Sequence, residues 1–450
     1  MISIRSPGRE GEHSNVKIKA LSLVLTAVLL LCGCGQKSET AAAAPAQAVT
    51  APAAQSSMAR PVSTGVTPEQ FGAKGDGIAD DLQALQAAMQ QASASGRPLE
   101  LTAGAVYRFS SCLGLPSGLT IRGNGAVLLS DIQYTDLRED RMAVELMKDS
   151  DDDRAHDVRL ENVTFRAADS CQANYMLRVM LARNVEFVGC TFDCEPNEWG
   201  RCAADLYGGN ENIRFEGCVF RQMTSGASGG IWVRNWTDRV ESRNIRFQNC
   251  EFYKSGADEL LAVWGWGGAV RDVVLSGCSF YETQTQEGLD AGHRPAWFIT
   301  LGQSGTTDVR MEDCTVRAEH CETIFRMVGD KTRAVVDNCD ITMKQPDSMA
   351  EHDMKKGANP MLARGNDRAD GSTVIQNSRI TLSGDNGRRI CYQLSALKGN
   401  TLDVSLGCGI ASTKEVSGNT IRGRIRHKVF QDCSGVENNN VEVRRFSILG

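Results

Sequence analysis

The chain has 450 residues, of which 41% are hydrophobic, 23% charged and 6% aromatic, with 16 Cys. These are the fractions of a folded globular protein and exclude wholesale disorder. A formal net charge of −6, with no basic stripe, excludes an ordinary nucleic-acid binder.

The chain opens with sixteen mostly polar residues, after which Lys17 and Lys19 precede an apolar run from Ala20 to Cys32. The run is short of the roughly 20 residues that span a bilayer, and with its positive flank it reads as a secretory signal. It ends in Leu31-Cys32-Gly33-Cys34, which resembles a bacterial lipobox. That resemblance implies that residues 1–33 are removed and that Cys34 carries lipid, so the membrane is a partner only through this anchor. Removing 1–33 takes away four basic and two acidic residues, moving the net charge from −6 to −8. Gly35 after the acceptor, in a Gram-negative source, implies the outer membrane. No later segment is long and apolar enough to cross a bilayer. Residues 34–65 are rich in Ala, Pro, Ser and Gln without hydrophobic period and read as a tether.

Folded sequence begins at Val66 and is expected to run as one domain over 66–450. Asp80 with Gln83 makes a capping box, and Leu82, Leu85, Met89 and Ala92 fall on one stripe, so a helix is expected, ended by Gly96 and Pro98. A strand-like segment, 102–107, follows, and then Leu119-Thr120-Ile121-Arg122.

From residue 158 one unit recurs: apolar-x-apolar-x-x-Cys-x-apolar. Its cysteines are Cys190, Cys218, Cys250, Cys278, Cys314 and Cys339, at steps of 28, 32, 28, 36 and 25 residues. Copies at 158–165 and 373–380 lack the Cys. A second apolar strand accompanies each of several copies, at 230–233, 260–264, 296–299 and 323–327. Short strands at such a period, without paired amphipathic helices, indicate a parallel β-solenoid. The segment Gln70-Phe71-Gly72-Ala73-Lys74-Gly75-Asp76-Gly77, the Asp80-Asp81 helix and Ala103-Gly104-x-x-Tyr107 resemble the opening of pectate-lyase-like proteins. The resemblance implies an all-β, single-stranded, right-handed parallel β-helix with an N-terminal capping helix, acting on a polysaccharide.

In-register rungs stand about 4.8 Å apart, so the six cysteines form an internal column. Disulfides would suit an exported protein. Parallel side chains are poorly placed to form them, so a ladder of small buried thiols is expected. Cys194 and Cys202 are the better disulfide candidates.

Function in a solenoid lies on its outer face and in its inserts. Alignment on the cysteines puts Asp258-Glu259, His293-Arg294 and His320 with Glu322 in front of successive second strands, with Asp205 and Arg234 at comparable places on earlier rungs. The catalytic candidates are Asp258, Glu259, His293 and Arg294. Carboxylate or His moves a proton, and Arg stabilises a uronate or oxyanion. Substrate-binding candidates are Asp205, Arg234, Trp264, Trp266 and His320; the indoles suit stacking on sugar rings. Trp232 and Trp297 alternate with apolar neighbours and read equally as core, whereas Gly265 between Trp264 and Trp266 suggests a turn. If the reaction is hydrolytic, Asp205 or Glu287 supplies a second carboxylate. The epimerase Asp-Pro-His triplet and the polygalacturonase Gly-His-Gly are absent, so no family catalytic residue transfers. No cofactor is required by this chemistry. Asp149-Ser150-Asp151-Asp152-Asp153 is the place where Ca2+ would be sought, although a solvated turn explains it as well. Lyase or glycoside hydrolase action on an acidic glycan is the leading expectation; a non-catalytic glycan- or partner-binding module is the alternative. The oligomeric state is not encoded in any pattern seen here.

Overall fold

A computed structural model describes residues 65–133, 142–147, 153–194, 202–223, 230–235, 240–254, 259–282, 297–345, 360–366, 370–384 and 388–444. The chain divides into Met1–Arg60 and Pro61–Gly450, and the described residues belong to the second unit. The signal, Cys34 and nearly all of the tether lie outside the described residues, as does the Asp149–Asp152 part of the acidic cluster.

The second unit is a right-handed parallel β-helix. Each full rung uses three short strands, for example Cys202–Gly208, Glu211–Glu216 and Val219–Met223, which build a first, second and third wall. The third wall is a 14-stranded sheet. The first two walls form a 23-stranded sheet, because the 16-residue strands Leu261–Ser276 and Trp297–Glu312 run across both. The pairings are parallel and mostly in register, as in Val185↔Ile213↔Ile245↔Val273.

The repeat has a physical cause in each of its positions. Its apolar residues face inward and stack on their counterparts. Phe165, Phe192, Phe220, Phe252 and Phe280 form one column, with ring centroids 4.9, 4.9, 5.0 and 4.6 Å apart. Phe187, Phe215 and Phe247 form another at 4.8 and 4.9 Å. Between the second and third walls the chain turns at one residue with positive φ, directly before the Cys position. That residue is Asn162, Gly189, Gly217, Asn249, Gly277, Asp313, Asn338 and Asn377 in successive rungs, with φ of 50–63°. Only Gly, Asn and Asp adopt this conformation cheaply, so the repeat reads Gly/Asn/Asp-Cys.

The six cysteines are buried and free, as the ladder reading expects. Each thiol donates to a carbonyl of the preceding rung; Cys218 reaches Phe187 O at 3.3 Å and Cys278 reaches Phe247 O at 3.3 Å. The column continues where the sequence motif stops. Ala126 and Val163 precede the thiols, and Ser378, Asn400, Asn419 and Asn439 follow them. The Nδ2 of Asn400 donates to Ile375 O at 3.0 Å, the carbonyl position that the thiols use, and to Asn419 Oδ1 at 3.0 Å. Cys194 and Cys202, the expected disulfide pair, are buried and are not bonded to each other.

The N-terminal cap is the helix Leu82–Ser95, whose Leu82, Leu85, Met89 and Ala92 are buried as the stripe predicts. Its N-terminus departs from expectation. Asp81 is the N-cap residue, and its carboxylate accepts Lys74 N at 2.7 Å and Gly75 N at 3.0 Å instead of capping. Asp80 accepts Leu82 N at 3.2 Å, so of the two acids it is Asp80 that meets a helix N–H. The strand expected over 102–107 is Val106–Phe109, because Thr102–Ala105 forms a turn closed by Ala105 N on Thr102 O.

Candidate functional site

The outer face of the first wall carries the densest polar chemistry among the described residues. Register aligns Arg178↔Asp205↔Trp232↔Ala262↔Thr300↔Arg326↔Arg364 down successive rungs. Asp205 is fully buried and is clamped by two arginines. Arg178 donates from Nε and Nη2 to Asp205 Oδ2 at 3.1 and 2.9 Å. Arg234 donates from Nε to Oδ1 and from Nη2 to Oδ2, both at 2.8 Å. Arg178 and Arg234 are themselves buried. Burial opposes the Arg234 cation, but the Asp205 hydrogen bonds and charge outweigh it, and its pKa moves up.

Aromatic rings enclose the clamp. The Arg178 guanidinium lies 4.5 Å from the Tyr175 centroid and 5.0 Å from Tyr207. Arg234 lies 4.0 Å from Trp232 and 4.9 Å from Tyr207. Tyr175, Trp232, Trp264 and Trp266 then form a row, with centroids 6.3, 5.5 and 6.4 Å apart. The row grades from buried Tyr175 and Trp232 through half-buried Trp264 to Trp266, which is 60% exposed. The indole Nε1 atoms of Trp232 and Trp264 are buried and have no hydrogen-bond partner among the described residues. Two such donors represent an unmet demand for acceptors.

Glu259 opens the rung beyond Trp232. Its backbone oxygen accepts Gly230 N and the buried Lys254 Nζ, each at 2.8 Å. Its Oε1 accepts Thr300 Oγ1 at 2.8 Å and lies 3.5 Å from Arg326 Nη1. Arg326 also donates to Gln303 Oε1 at 3.0 Å and covers the Trp297 ring at 4.9 Å. Burial moves the Arg326 pKa down, and Glu259 offsets this only in part. His320 stands elsewhere. Glu282 Oε2 accepts the backbone N–H groups of Glu319, His320 and Cys321, and His320 Nδ1 lies 3.8 Å from Glu282 Oε1. Glu145, in register with Arg178, borders Cys112, whose thiol is pushed up to about 12 by burial and by that carboxylate.

The structure corrects several expectations. Asp205 and Arg234 do not sit at the strand-start edge with Glu259; they lie within their strands, Cys202–Gly208 and Ile231–Arg234, on the outer face. Asp205 is a buried anchor whose oxygens are taken by guanidinium groups, which removes it as a second catalytic carboxylate. Trp232 and Trp297 belong to the outer face, not the core, since each lies against an arginine. Trp264 and Trp266 lie in one continuous strand and not about a turn, with register shifts where Gly265 approaches Thr306. His320 belongs to the Glu282 turn and not to the clamp. Asp258, His293, Arg294 and Glu287 lie outside the described residues. Sequence reasoning missed Arg178, Tyr175, Tyr207 and Arg326. The signal for Arg178 was present: one charge in the apolar strand Tyr175–Met180 requires a buried partner. Among the described residues no group of three or more His, Cys, Asp or Glu is arranged to hold a metal ion.

Residues 66–279 match the family model described as rhamnogalacturonase A/epimerase, pectate lyase-like. A comparison with curated proteins finds no match. Among solved structures, PfbA, a surface protein and adhesin of Streptococcus pneumoniae, is similar with a TM-score of 0.54 and 15% identity, over 84% of this chain and 97% of that one. A second structure of that adhesin gives 0.51 and 15%, over 86% and 93%. A family 28 exopolygalacturonase of Yersinia enterocolitica gives 0.43 and 12%, over 85% and 79%. At these identities the likeness is one of fold. Residues 66–279 are thus a pectate-lyase-like segment of a parallel β-helix.

Proposed function

We propose that this protein is an exported, lipid-anchored envelope protein that binds an acidic polysaccharide along the outer face of the first wall and cleaves it by elimination. The observation that carries the binding is the aromatic row, which emerges from buried Tyr175 and Trp232 to Trp266, 60% exposed. An exposed indole such as Trp266 is a stacking platform for a sugar ring. The Arg178–Asp205–Arg234 clamp fixes Trp232 from below, so the row is held in place before ligand arrives.

Carboxylate spacing among the described residues supports this reaction type. Hydrolysis needs two carboxyl groups about 5–9.5 Å apart. Along the first wall Glu145 and Glu259, on rungs four apart, are separated by roughly 19 Å at about 4.8 Å per rung. Asp205 between them is consumed by the clamp. Elimination needs one base to take the proton beside the uronate carboxyl while the glycosidic C–O bond breaks and the leaving oxygen takes a proton. Glu259 is the candidate base on this face. A second reading, a binding surface without catalysis, draws on the fold shared with a surface adhesin.

The test is incubation of the purified protein with a panel of acidic and neutral polysaccharides, following unsaturated-uronate absorbance and reducing ends together. Absorbance rising with reducing ends supports elimination, and Glu259→Gln should abolish it. Reducing ends without absorbance would point to hydrolysis. Binding without either signal would favour the adhesin-like reading. Loss of lipid labelling and of membrane association in Cys34→Ala tests the anchor.

A further inference from the structure

We propose that the outer face of the second wall carries a separate, non-catalytic binding track for a neutral, extended glycan, laid along a ladder of asparagine side chains. The track does not rest on the reading of the first wall: it uses other residues, another face and a ligand without charge.

Asp157, Asn184, Asn212, Asn244 and Asp272 occupy one place on five successive rungs, each between residues that pair in register. All five have positive φ, 53–58°. Glycine would meet that backbone demand, as Gly189, Gly217 and Gly277 do before the Cys position, so three successive amides are a choice of side chain. The amides bond to one another. Asn184 Nδ2 donates to Asp157 Oδ1 at 2.9 Å, Asn212 Nδ2 to Asn184 Oδ1 at 2.9 Å and Asn244 Nδ2 to Asn212 Oδ1 at 2.6 Å. These bonds are exposed, where water competes for them and each adds little to stability. Their use lies in what they leave over. An amide has two N–H groups and two oxygen lone pairs, and a full link in the ladder spends one of each. Asn184 and Asn212 thus keep one donor and one acceptor each. The ladder stops at Asp272, an ionised carboxylate with nothing to donate, so Asn244 Oδ1 receives no donor among the described residues.

The three asparagines line a groove of about 470 Å³ together with Arg159, Glu186, Arg214 and Arg246. The charges of this groove are settled within the protein. Arg159 donates to Glu161 Oε1 at 2.6 Å and to Glu186. Arg214 Nη2 lies 2.6 Å from Glu216 Oε2, and Arg246 Nη2 donates to Asp272 Oδ2 at 2.6 Å. Each guanidinium therefore has its carboxylate, and nothing in the groove calls for an ionic ligand. An anion would use only the amide N–H groups and a cation only the oxygens. A hydroxyl uses both, because it donates and accepts at once. The ladder also sets the shape of the ligand. It advances about 4.8 Å per rung and takes three steps from Asp157 to Asn244, about 14 Å in all. An extended, ribbon-like pyranose chain advances by a similar distance per sugar, so consecutive sugars meet consecutive amides. A coiled glucan does not hold that register.

The experiment titrates the full protein with mannohexaose and cellohexaose, which are neutral and extended, and with maltohexaose, which is neutral and coiled. Saturation-transfer NMR and calorimetry read the binding. At least one extended probe should bind with a Kd on the order of 1 mM, more tightly than maltohexaose and equally at low and moderate salt. Asn212→Gly keeps the positive φ and removes one link of the ladder. Asn212→Asp keeps the shape and turns a donor into an acceptor. Each should weaken the extended probe about fivefold, with circular dichroism unchanged. The control is Asn338→Gly, which deletes the same kind of bond outside the groove, Asn338 Nδ2 to Asp313 Oδ1 at 2.6 Å, at a φ of 50°. It should bind as wild type does. A ladder that is only structural would leave the two Gly variants alike in binding, and that result refutes the track. So does binding that Trp266→Ala abolishes, which places the neutral sugar on the first wall. Tighter binding of maltohexaose, a steep fall with salt, or no binding of either extended probe at about 10 mM also refutes it. These readouts need neither cleavage nor an acidic ligand, so they stand or fall apart from the elimination reading.

Discussion

Asp205 is the residue whose replacement says most about this face. Asp205→Asn keeps the shape but exchanges one acceptor oxygen for an NH2 donor. Of the four N–H···O contacts at 2.8–3.1 Å, three end on Oδ2 and one on Oδ1, so three at most survive, and the new donor faces a guanidinium. Both arginines are then buried without a full counter-charge, since their side chains are only 5% and 7% exposed. Removing one partner from a buried ion pair costs about 3–5 kcal/mol. For a unit of this size that lowers the unfolding temperature by roughly 4–6 °C. Thermal and urea unfolding should be followed by tryptophan emission, which reports directly on Trp232 beside Arg234. The triple replacement Arg178→Met, Asp205→Leu, Arg234→Met should recover much of the loss, because apolar substitutes need no counter-charge. A loss below about 1 kcal/mol in Asp205→Asn, accompanied by complete loss of glycan cleavage, would refute the assignment of Asp205 as an anchor and make it a reacting group.

Four further outcomes are expected. Trp266→Ala should leave stability within about 0.5 kcal/mol, because the ring is exposed, while weakening glycan binding roughly 2- to 10-fold in a fluorescence titration. In the native protein a thiol reagent should modify the half-buried Cys408 and Cys433 first and leave the six column thiols untouched until unfolding, as counted by mass spectrometry. Cys250→Ser should cost no more than about 2 kcal/mol by urea unfolding, since Ser378 already occupies the same column and donates to Gln376 O at 2.8 Å. The N-terminal cap should be pH-sensitive at both ends. Tyr107 OH donates to Glu69 Oε1 at 2.5 Å, and burial followed by Glu69 raises the phenol from 10 to about 12. A raised folded pKa means stability that is complete below pH 10 and is lost as pH rises toward 12. Burial pushes Glu69 up, but hydrogen bonds from Tyr107 and Thr102 outweigh it and its pKa is lowered, so a second contribution is lost as pH falls below 4.5. Tyr107→Phe should remove the alkaline component, as read by thermal unfolding across pH; an unchanged alkaline limb would contradict it.

Much of the fold was legible because a solenoid repeats its chemistry at a fixed position. Six cysteines at one place in the unit mark the rung and the column in the sequence itself. The C-terminal rungs were harder, because the same column position passes to Ser378, Asn400, Asn419 and Asn439, and a search keyed to Cys ends at Cys339. The candidate site was less legible for a different reason. Aligning rungs on the second-to-third-wall turn fixes strands near that turn. The inserts vary in length, so the same alignment loses the position of Asp205 and Arg234 within the first wall. Arg178 stands on the rung of Cys190, in the strand Tyr175–Met180, ahead of the second strands that the repeat displays from residue 230. Glu259 was placed correctly at its strand start, but its partners Thr300 and Arg326 come from later rungs that spacing alone does not align.

The column's change from sulfur to amide has a consequence for how this chain could lengthen. Where thiols fill it, rungs are 25–36 residues long and carry the inserts. Where amides fill it, successive members are 22, 19 and 20 residues apart, close to the least chain that closes three walls. Asn400 and Asn419 each bond to the rung on either side, Asn419 through Leu397 O at 2.8 Å and Asn439 Oδ1 at 2.9 Å. These rungs therefore state their own register and do not depend on an insert to hold it. A duplication of 400–418 would add one such unit, about 4.8 Å of length, without moving the aromatic row. The sulfur segment is the variable part of the molecule, open to new loops; the amide segment is its standard gauge, the place where length can be gained or lost without rewriting what the other part binds.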